Sequence, residues 1–142
     1  MGKTYQTTII DAPLEKVWEK VRNFHDFSWA PNVVTSCIAV GDKKSDQIGA
    51  KRVLNKVFHE TLVEYSELNR SFKYSIDDGP PPVSKNDVKE YYGSVRLLPV
   101  TDSDKCFIEW SSRWESKSNE AEEFCHNIYI ALFADLHKTF EK

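Results

Sequence analysis

Between Val33 and Glu115 the sequence consists of strand-like segments separated by short turn segments, and this pattern limits the fold more than any other feature. Clusters of Gly, Pro, Asp, Asn, Ser and Lys mark the turns, and the region is predicted to hold six strands. Because a crossover between parallel strands needs a helix-sized connection, turns this short predict antiparallel neighbours. The turn segments are GDKKSD at 41–46, SELNR at 66–70, DDGPPPVSKND at 77–87 and TDSDK at 101–105.

The last strand, CFIEWSSRWE at 106–115, shows the clearest alternation of polar and apolar residues. Such a period of two indicates a strand with one buried face. In the preceding strand, at 88–98, the set that contains Tyr91, Gly93, Val95 and Leu97 is likewise the more apolar and is predicted to point inward. The inward set of the last strand is Cys106, Ile108, Trp110, Ser112 and Trp114.

Two small residues on these inward faces predict empty space. Gly93 and Ser112 are expected to be neighbours, and a close-packed interior has little reason to place two small residues side by side. We therefore interpret Trp110 and Trp114 as walls of a pocket, with Ser112 leaving room between them. The alternative is that both indoles pack on a helix and fill the space.

The N-terminal part of the chain predicts a strand followed by helices. Residues 4–10 are strand-like, Asp11 is placed to cap a helix, and Pro13 suits the first helical turn. Apolar residues then recur at helical spacing as far as Val21. We predict two short helices here, because Pro31 forbids any continuation.

The C-terminal part predicts one long helix of about 24 residues. Asn119 and Glu122 resemble a capping box at its start, and Lys138 and Lys142 suit its negative end. Its apolar stripe follows steps of four residues. The stripe consists of Phe124, Ile128, Leu132, Leu136 and Phe140, and it is widened by Ala121, Cys125, Tyr129 and Ala131.

Together these elements predict an α+β protein. We expect a seven-stranded curved antiparallel sheet, two short N-terminal helices and one long C-terminal helix, in a single domain over residues 1–142. Because a sheet of this size curls as it twists, one helix laid across it need not fill the concave side. A ligand-sized gap is predicted there.

Composition excludes several classes of function. The net charge of −3 and the absence of a basic run disfavour nucleic acid as a partner. The longest apolar run, Ile128–Ala134, is far shorter than the roughly 20 residues of a membrane span. The N-terminus shows no signal segment, and three cysteines without paired spacing indicate free thiols, so we expect a cytoplasmic protein. A monomer or weak homodimer is expected.

Several stretches resemble the START-like helix-grip superfamily of the birch-pollen allergens, and most closely its polyketide cyclase/dehydrase and lipid-transport branch. The resemblance spans nearly the whole chain and implies the helix-grip fold, with a cavity for an apolar or amphipathic molecule that is reached through loops at one end. The stretches are DAPLEKVWEKVRNFHDFSWAP at 11–31, HETLVEYSELNRSFKYSIDDGPPPV at 59–83, YYGSVRLLP at 91–99 and IEWSSRWE at 108–115.

Plant abscisic-acid receptors share this fold, and the resemblance places several of their cavity residues on this chain. Two departures argue against a hormone-receptor function. NKVFHET lacks the Gly-Leu-Pro-Ala gate, and Pro31 replaces the lysine that pairs with the hormone's carboxylate. The matching positions are Glu60, Tyr74, Tyr91, Phe124, Ile128 and Leu132.

Glu60 is the most informative polar residue. In a cavity its pKa would rise with burial, which suits an acid, a base or a hydrogen-bond partner. The alternative is a glutamate at the rim of the sheet, either solvated or paired with Arg52. Tyr91 is the second candidate catalytic group. The four histidines lack ligand spacing, so neither a metal site nor a cofactor is predicted.

The leading hypothesis is a carrier or sensor of a hydrophobic small molecule. The first alternative is an enzyme of the cyclase or dehydratase type that uses Glu60 as general acid or base, and the second is a module that binds a protein partner. The predicted ligand-binding residues are Trp29, Leu54, Glu60, Leu62, Tyr74, Tyr91, Gly93, Trp110, Ser112, Trp114, Phe124, Ile128 and Leu132.

Overall fold

A computed structural model describes residues 1–141, so the predicted role of Lys142 lies outside the described part of the chain. The order of elements is strand, helix, six strands, helix. The elements are β1 (Gly2–Ile10), α1 (Leu14–Val21), β2 (Cys37–Val40), β3 (Lys51–Leu54), β4 (Phe58–Ser66), β5 (Ser71–Asp78), β6 (Val88–Pro99), β7 (Cys106–Ser116) and α2 (Glu120–Thr139).

The seven strands form one antiparallel sheet in the order β1-β7-β6-β5-β4-β3-β2. Strands β2 to β7 follow one another as hairpins, while β1 joins the far edge by pairing with β7. Register shifts in β4 and in β6, between Lys89 and Tyr92, mark bulges that bend the sheet. The predicted curved antiparallel sheet is confirmed.

The alternation in β6 and β7 predicts the inward faces correctly. Trp110 and Trp114 are each 2% exposed, and Ser112 between them is also buried. On β6, Tyr91 and Leu97 are buried in the same way. Both strands therefore turn their more apolar set towards the helices.

One short helix, not two, lies near the N-terminus. Helix α1 begins after Pro13, which occupies the N-cap position predicted for Asp11, and it buries Val17, Trp18 and Val21. The region of the second predicted helix consists of turns. The Asn23 side chain accepts a hydrogen bond from the backbone N–H two residues on, as short polar side chains do in turns, and Asp26 does the same.

Helix α2 has 20 residues, fewer than predicted, and Asn119 makes no side-chain capping hydrogen bond. Its most buried face lies towards the residues that were predicted to widen the stripe. Cys125, Tyr129 and Leu132 are buried, whereas Phe124 and Ile128 are half-buried. The stripe residues at the front of the helix therefore lie beside the buried seam and not on it.

A buried carboxylate fastens the C-terminal half of α2 to the turns after α1. Asp135, which is 3% exposed, accepts hydrogen bonds from the backbone N–H of Asn32 at 2.9 Å and from its side-chain amide at 2.7 Å. One turn later, the Thr139 hydroxyl donates to the carbonyl of Trp29 at 3.1 Å. We call these contacts the Asn32–Asp135 clasp, and they hold the turns at one end of the sheet.

Candidate ligand-binding site

A cavity of about 230 Å³ lies between the sheet and α2. An apolar cavity of about 150 Å³ holds one benzene molecule, whereas pockets for drug-sized ligands start near 300 Å³. The volume therefore suits a molecule with one or two rings. Strands β3 and β4 contribute Arg52, Leu54, Phe58 and Glu60, the strands β5 to β7 contribute Tyr74, Ile76, Tyr91 and Trp110, and α2 contributes Phe124, Cys125, Ile128, Tyr129 and Leu132.

The loops at one end of the sheet complete the cavity and form its mouth. Four of the loop residues that line the cavity, Val33, Val34, Asn55 and Pro80, are half-buried, whereas Phe27 and Val83 are buried. Because the Asn32–Asp135 clasp fixes the turn before Val33, one side of the mouth is held to α2. The loop residues that line the cavity are Phe27, Val33, Val34, Asn55, Pro80 and Val83.

Three tyrosines, one each from β5, β6 and α2, bring their hydroxyl groups together on the inner wall of the cavity. The Trp110 indole N–H donates to the Tyr74 hydroxyl at 3.0 Å, and the hydroxyls of Tyr74 and Tyr129 are 3.1 Å apart. The hydroxyl of Tyr129 also hydrogen-bonds that of Tyr91. We call Tyr74, Tyr91 and Tyr129 the tyrosine triad.

The hydrogen atoms of the tyrosine triad can be counted. Each phenol carries one hydroxyl hydrogen, and the two links within the triad use two of the three. One hydrogen is therefore left to donate outside the triad. At the Tyr91 end its acceptor is the side chain of Cys125, and at the Tyr74 end it would point into the cavity.

The tyrosine triad is neutral. Burial is the largest cause that raises the pKa of each of these phenols well above its ordinary value, and the charges the neighbouring phenols would carry raise it further. These groups can donate and accept hydrogen bonds at neutral pH, but they cannot serve there as phenolate bases.

A buried ion pair forms the wall between β3 and β4. Arg52 and Glu60 are directly paired across the two strands, and their side chains are 4% and 6% exposed. Nη2 and Nε of Arg52 lie 2.6 Å and 2.8 Å from the same Glu60 oxygen, Oε1. The pair brings no net charge to the cavity.

Two aromatic rings from the turns after α1 pack against the guanidinium of Arg52. Its central carbon lies 3.8 Å from the ring centroid of Phe24 and 4.7 Å from that of Phe27, and Nη1 donates to the Phe24 carbonyl at 3.1 Å. Ring faces attract cations, so this contact stabilises the charge beyond the ion pair. Burial raises the pKa of the Glu60 carboxyl, and the charge and hydrogen bond of Arg52 offset part of that rise.

The sequence profile of the polyketide cyclase / dehydrase and lipid transport family matches residues 1–141. The chain belongs to this family. Its structure is also similar to solved helix-grip proteins, and the predicted helix-grip resemblance is confirmed. No protein with a curated function matches the sequence.

The similar structures range from a near relative to distant members of the fold. A protein from Nitrosospira multiformis is 48% identical, with a TM-score of 0.97 over 99% of this chain and 97% of that one. A protein from Thermobifida fusca is 23% identical, with a TM-score of 0.81 over 99% and 93% of the two chains. Major latex-like protein 151 from Panax ginseng is 17% identical, with a TM-score of 0.74 over 99% and 98%. The last two likenesses show the fold alone.

Eight of the thirteen residues predicted to bind ligand line the cavity of this family member. The buried ones come from the sheet and from α2, and Phe124 and Ile128 stand at the mouth. All six positions that resemble cavity residues of the abscisic-acid receptors are among them. The eight are Leu54, Glu60, Tyr74, Tyr91, Trp110, Phe124, Ile128 and Leu132.

Gly93 and Trp114 do not border empty space, contrary to the sequence-based interpretation. The Tyr74 ring lies over Gly93, so a Cβ atom there would sit 2.7 Å from Cε1 of Tyr74. Trp114 stacks on Tyr91, with ring centroids 5.2 Å apart and planes 7° apart, and its other side packs against Gly2. The small inward residue accommodates a neighbouring ring and not a ligand.

The remaining three predicted residues also lie off the cavity wall. The hydroxyls of Ser112 and Thr4 are 2.7 Å apart, and Leu62 is buried in the core. Trp29 stacks on Phe27 with ring centroids 5.1 Å apart, so it supports a lining residue from behind. Of the two indoles proposed as walls, Trp110 alone borders the cavity.

Several lining residues were not predicted. The alternation in β3 places Arg52 on the same face as Leu54, and this signal could have identified it as a wall residue. Cys125 and Tyr129 were predicted to widen the apolar stripe of α2 but not to bind ligand, and their spacing of four residues could have identified them as wall residues. Phe27, Val83 and the other loop residues follow no periodic pattern.

Among residues 1–141 no helix is long and apolar enough to cross a membrane.

Proposed function

We propose that this protein binds a hydrophobic or amphipathic small molecule in the cavity between the sheet and α2, as a carrier or sensor. The observation that carries the proposal is a cavity lined mostly by aromatic and aliphatic side chains, with hydrogen-bonding groups on its inner wall. Burial of apolar ligand surface contributes about 25 cal/mol per Å². The polar groups then fix the orientation of the ligand.

The two candidate catalytic residues suit binding better than turnover. A general base must be free to take a proton at neutral pH. The Oε1 atom of Glu60 is engaged by two nitrogens of Arg52, and Tyr91 stays protonated because its pKa is raised. Enzymes of the cyclase or dehydratase type remain the alternative, and that alternative predicts that Glu60→Gln retains binding but loses turnover.

A thermal-shift panel tests the proposal. The compounds are fatty acids, sterols, flavonoids, polyketide-like aromatics and small monocyclic aromatics. A ligand at 100 times its dissociation constant adds about 2.7 kcal/mol to the free energy of unfolding, which for a chain of this size raises the Tm by roughly 5–10 °C. We expect the compounds with one or two rings to give such shifts, because the cavity measures about 230 Å³.

A matched pair of variants locates the binding. Ile128 lines the cavity, whereas Ile130 on the same helix is 47% exposed. Ile128→Trp fills the mouth and should abolish the shift, and Ile130→Trp should preserve it. Equal shifts in both variants would contradict the cavity assignment. If no compound shifts the wild-type protein, the third hypothesis, a module for a protein partner, takes precedence.

The location and oligomeric state are proposals of the same kind. We propose a cytoplasmic protein, in which the three cysteines stay reduced, and their free thiols support this. We also propose a monomer or weak homodimer, which sedimentation at several protein concentrations would test.

A further inference from the structure

The ion pair in the cavity wall limits the charge of any ligand. Arg52 is the cation nearest the cavity interior, and Glu60 already neutralises it at 2.6 Å. Nη1 of Arg52 donates to the Phe24 carbonyl, and the rings of Phe24 and Phe27 lie against the guanidinium. A ligand would therefore meet a polar wall without net charge, and among the described residues that line the cavity no positive group is left unpaired.

A ligand carboxylate in this cavity would have to share Arg52 with Glu60. Two carboxylates at one buried site cannot both stay ionised, so one of them must take up a proton. A carboxyl group with an ordinary pKa of about 4 loses roughly 1,000-fold in affinity at pH 7 if it must bind protonated. The loss is smaller if Glu60 takes the proton, since burial raises its pKa.

The tyrosine triad favours a ligand that accepts a hydrogen bond. Two of its three hydroxyl hydrogens are used within the triad, and the Trp110 indole N–H is used by Tyr74. The one remaining hydrogen can be donated from Tyr74 when Tyr91 donates to Tyr129 and Tyr129 donates to Tyr74. A carbonyl oxygen placed beside Tyr74 would accept it.

We propose that the cavity selects uncharged molecules with one or two aromatic rings and a carbonyl-type hydrogen-bond acceptor, and that it rejects the corresponding carboxylates. The proposal rests on the proposed function, because it assumes that the cavity is the binding site. The aromatic preference follows from the ring-rich lining, in which Trp110 and Tyr129 already stack with centroids 5.3 Å apart.

A matched pair of probes tests the proposal on the wild-type protein at pH 7. 4-Ethylbenzamide and 4-ethylbenzoate have nearly the same shape and differ in charge. Titrations followed by the indole N–H signals in NMR spectra should show at least tenfold tighter binding of the amide. The Trp110 signal should move, whereas the signal of Trp18, whose indole donates to Glu67 at 3.1 Å outside the cavity, should not.

The Glu60→Gln variant should reverse the preference between the two probes. Glu60→Gln leaves the guanidinium of Arg52 buried without its anion and should lower the Tm by roughly 10 °C or more. 4-Ethylbenzoate should then restore much of that stability and bind more tightly than the amide, because it supplies the missing carboxylate. Glu64→Gln on the same strand is the control, since its side chain is 68% exposed, and it should keep the wild-type preference.

The possible outcomes separate this proposal from the one it rests on. Binding of the amide with little binding of the carboxylate supports it. Equal binding of both probes overturns the charge selection and leaves the binding function in place. If neither probe nor any compound of the thermal-shift panel binds, both proposals fail. Should Glu60→Gln not fold, the wild-type comparison alone decides.

Discussion

Gly93→Ala should destabilise the protein because the Tyr74 ring occupies the space of the missing side chain. A Cβ atom at position 93 would lie 2.5 Å from the Tyr74 hydroxyl and 2.7 Å from Cε1. The backbone of Gly93 is not in the left-handed region, so alanine meets no conformational penalty there. The whole effect is therefore steric and passes through Tyr74.

The magnitude follows from two contributions. Overpacking a well-packed interior costs about 1–3 kcal/mol. If the ring moves away, its hydrogen bonds with Trp110 and Tyr129 weaken, at about 1 kcal/mol each. The two contributions overlap, because a ring that moves away relieves part of the overpacking, so we expect a loss of about 3 kcal/mol in the free energy of unfolding, or roughly 10 °C in Tm for a chain of this size.

A double-mutant cycle in urea measures the coupling between the two positions. Tyr74→Ala removes the ring, so Gly93→Ala in that background should cost almost nothing, or gain slightly, since alanine restricts the unfolded chain more than glycine. The expected coupling is about 3 kcal/mol. If Gly93→Ala costs under 1 kcal/mol in the wild type, or costs the same in both backgrounds, the assignment of Tyr74 to the space above Gly93 is wrong.

Two further predictions concern the tyrosine triad and the Asn32–Asp135 clasp. Unfolded tyrosine has a pKa of about 10, and the triad's pKa values are raised, so the native state keeps protons that the unfolded state loses and stability should fall as the pH rises above about 10. Urea unfolding at several alkaline pH values, with absorbance at 295 nm to follow phenolate, checks this; triad ionisation before unfolding would contradict it. Asp135→Ala should cost about 2–3 kcal/mol and speed amide exchange over residues 29–34, because it removes both acceptors of Asn32. Asp42→Ala, at an exposed position, should do neither, and unchanged exchange in Asp135→Ala would rule out the clasp.

The inward faces of the sheet were predictable because alternation is a local property of each strand. The pattern in β7 places Trp110, Ser112 and Trp114 on one face, and all three are buried. The same pattern cannot say what covers each residue. Gly93 pairs with Tyr74 on β5, and the volume that glycine leaves is taken by that ring. Whether a small residue borders a cavity or a neighbour depends on rotamers across strands.

The helical and loop regions were harder to predict for other reasons. Short polar side chains such as those of Asn23 and Asp26 hydrogen-bond nearby backbone and favour turns where a second helix was predicted. The face of α2 that is most buried depends on how the helix lies on the sheet, so the stripe through Phe124 and Ile128 was only partly informative. Loop residues such as Val83 line the cavity because of the fold and not because of a pattern.

The ion pair between Arg52 and Glu60 also restricts how the site can change by mutation. Loss of either residue alone leaves the other as an unpaired buried charge. This lowers the free energy of unfolding by about 3–5 kcal/mol, whereas the total for a typical domain is about 5–15 kcal/mol. A lineage could therefore alter this wall only by changing both residues together, or after gaining stability elsewhere. Half-buried residues at the mouth, such as Val34 and Ile128, carry no such restriction. Ligand preference should thus diverge first at the entrance, while the charge balance of the interior persists over longer evolutionary distances.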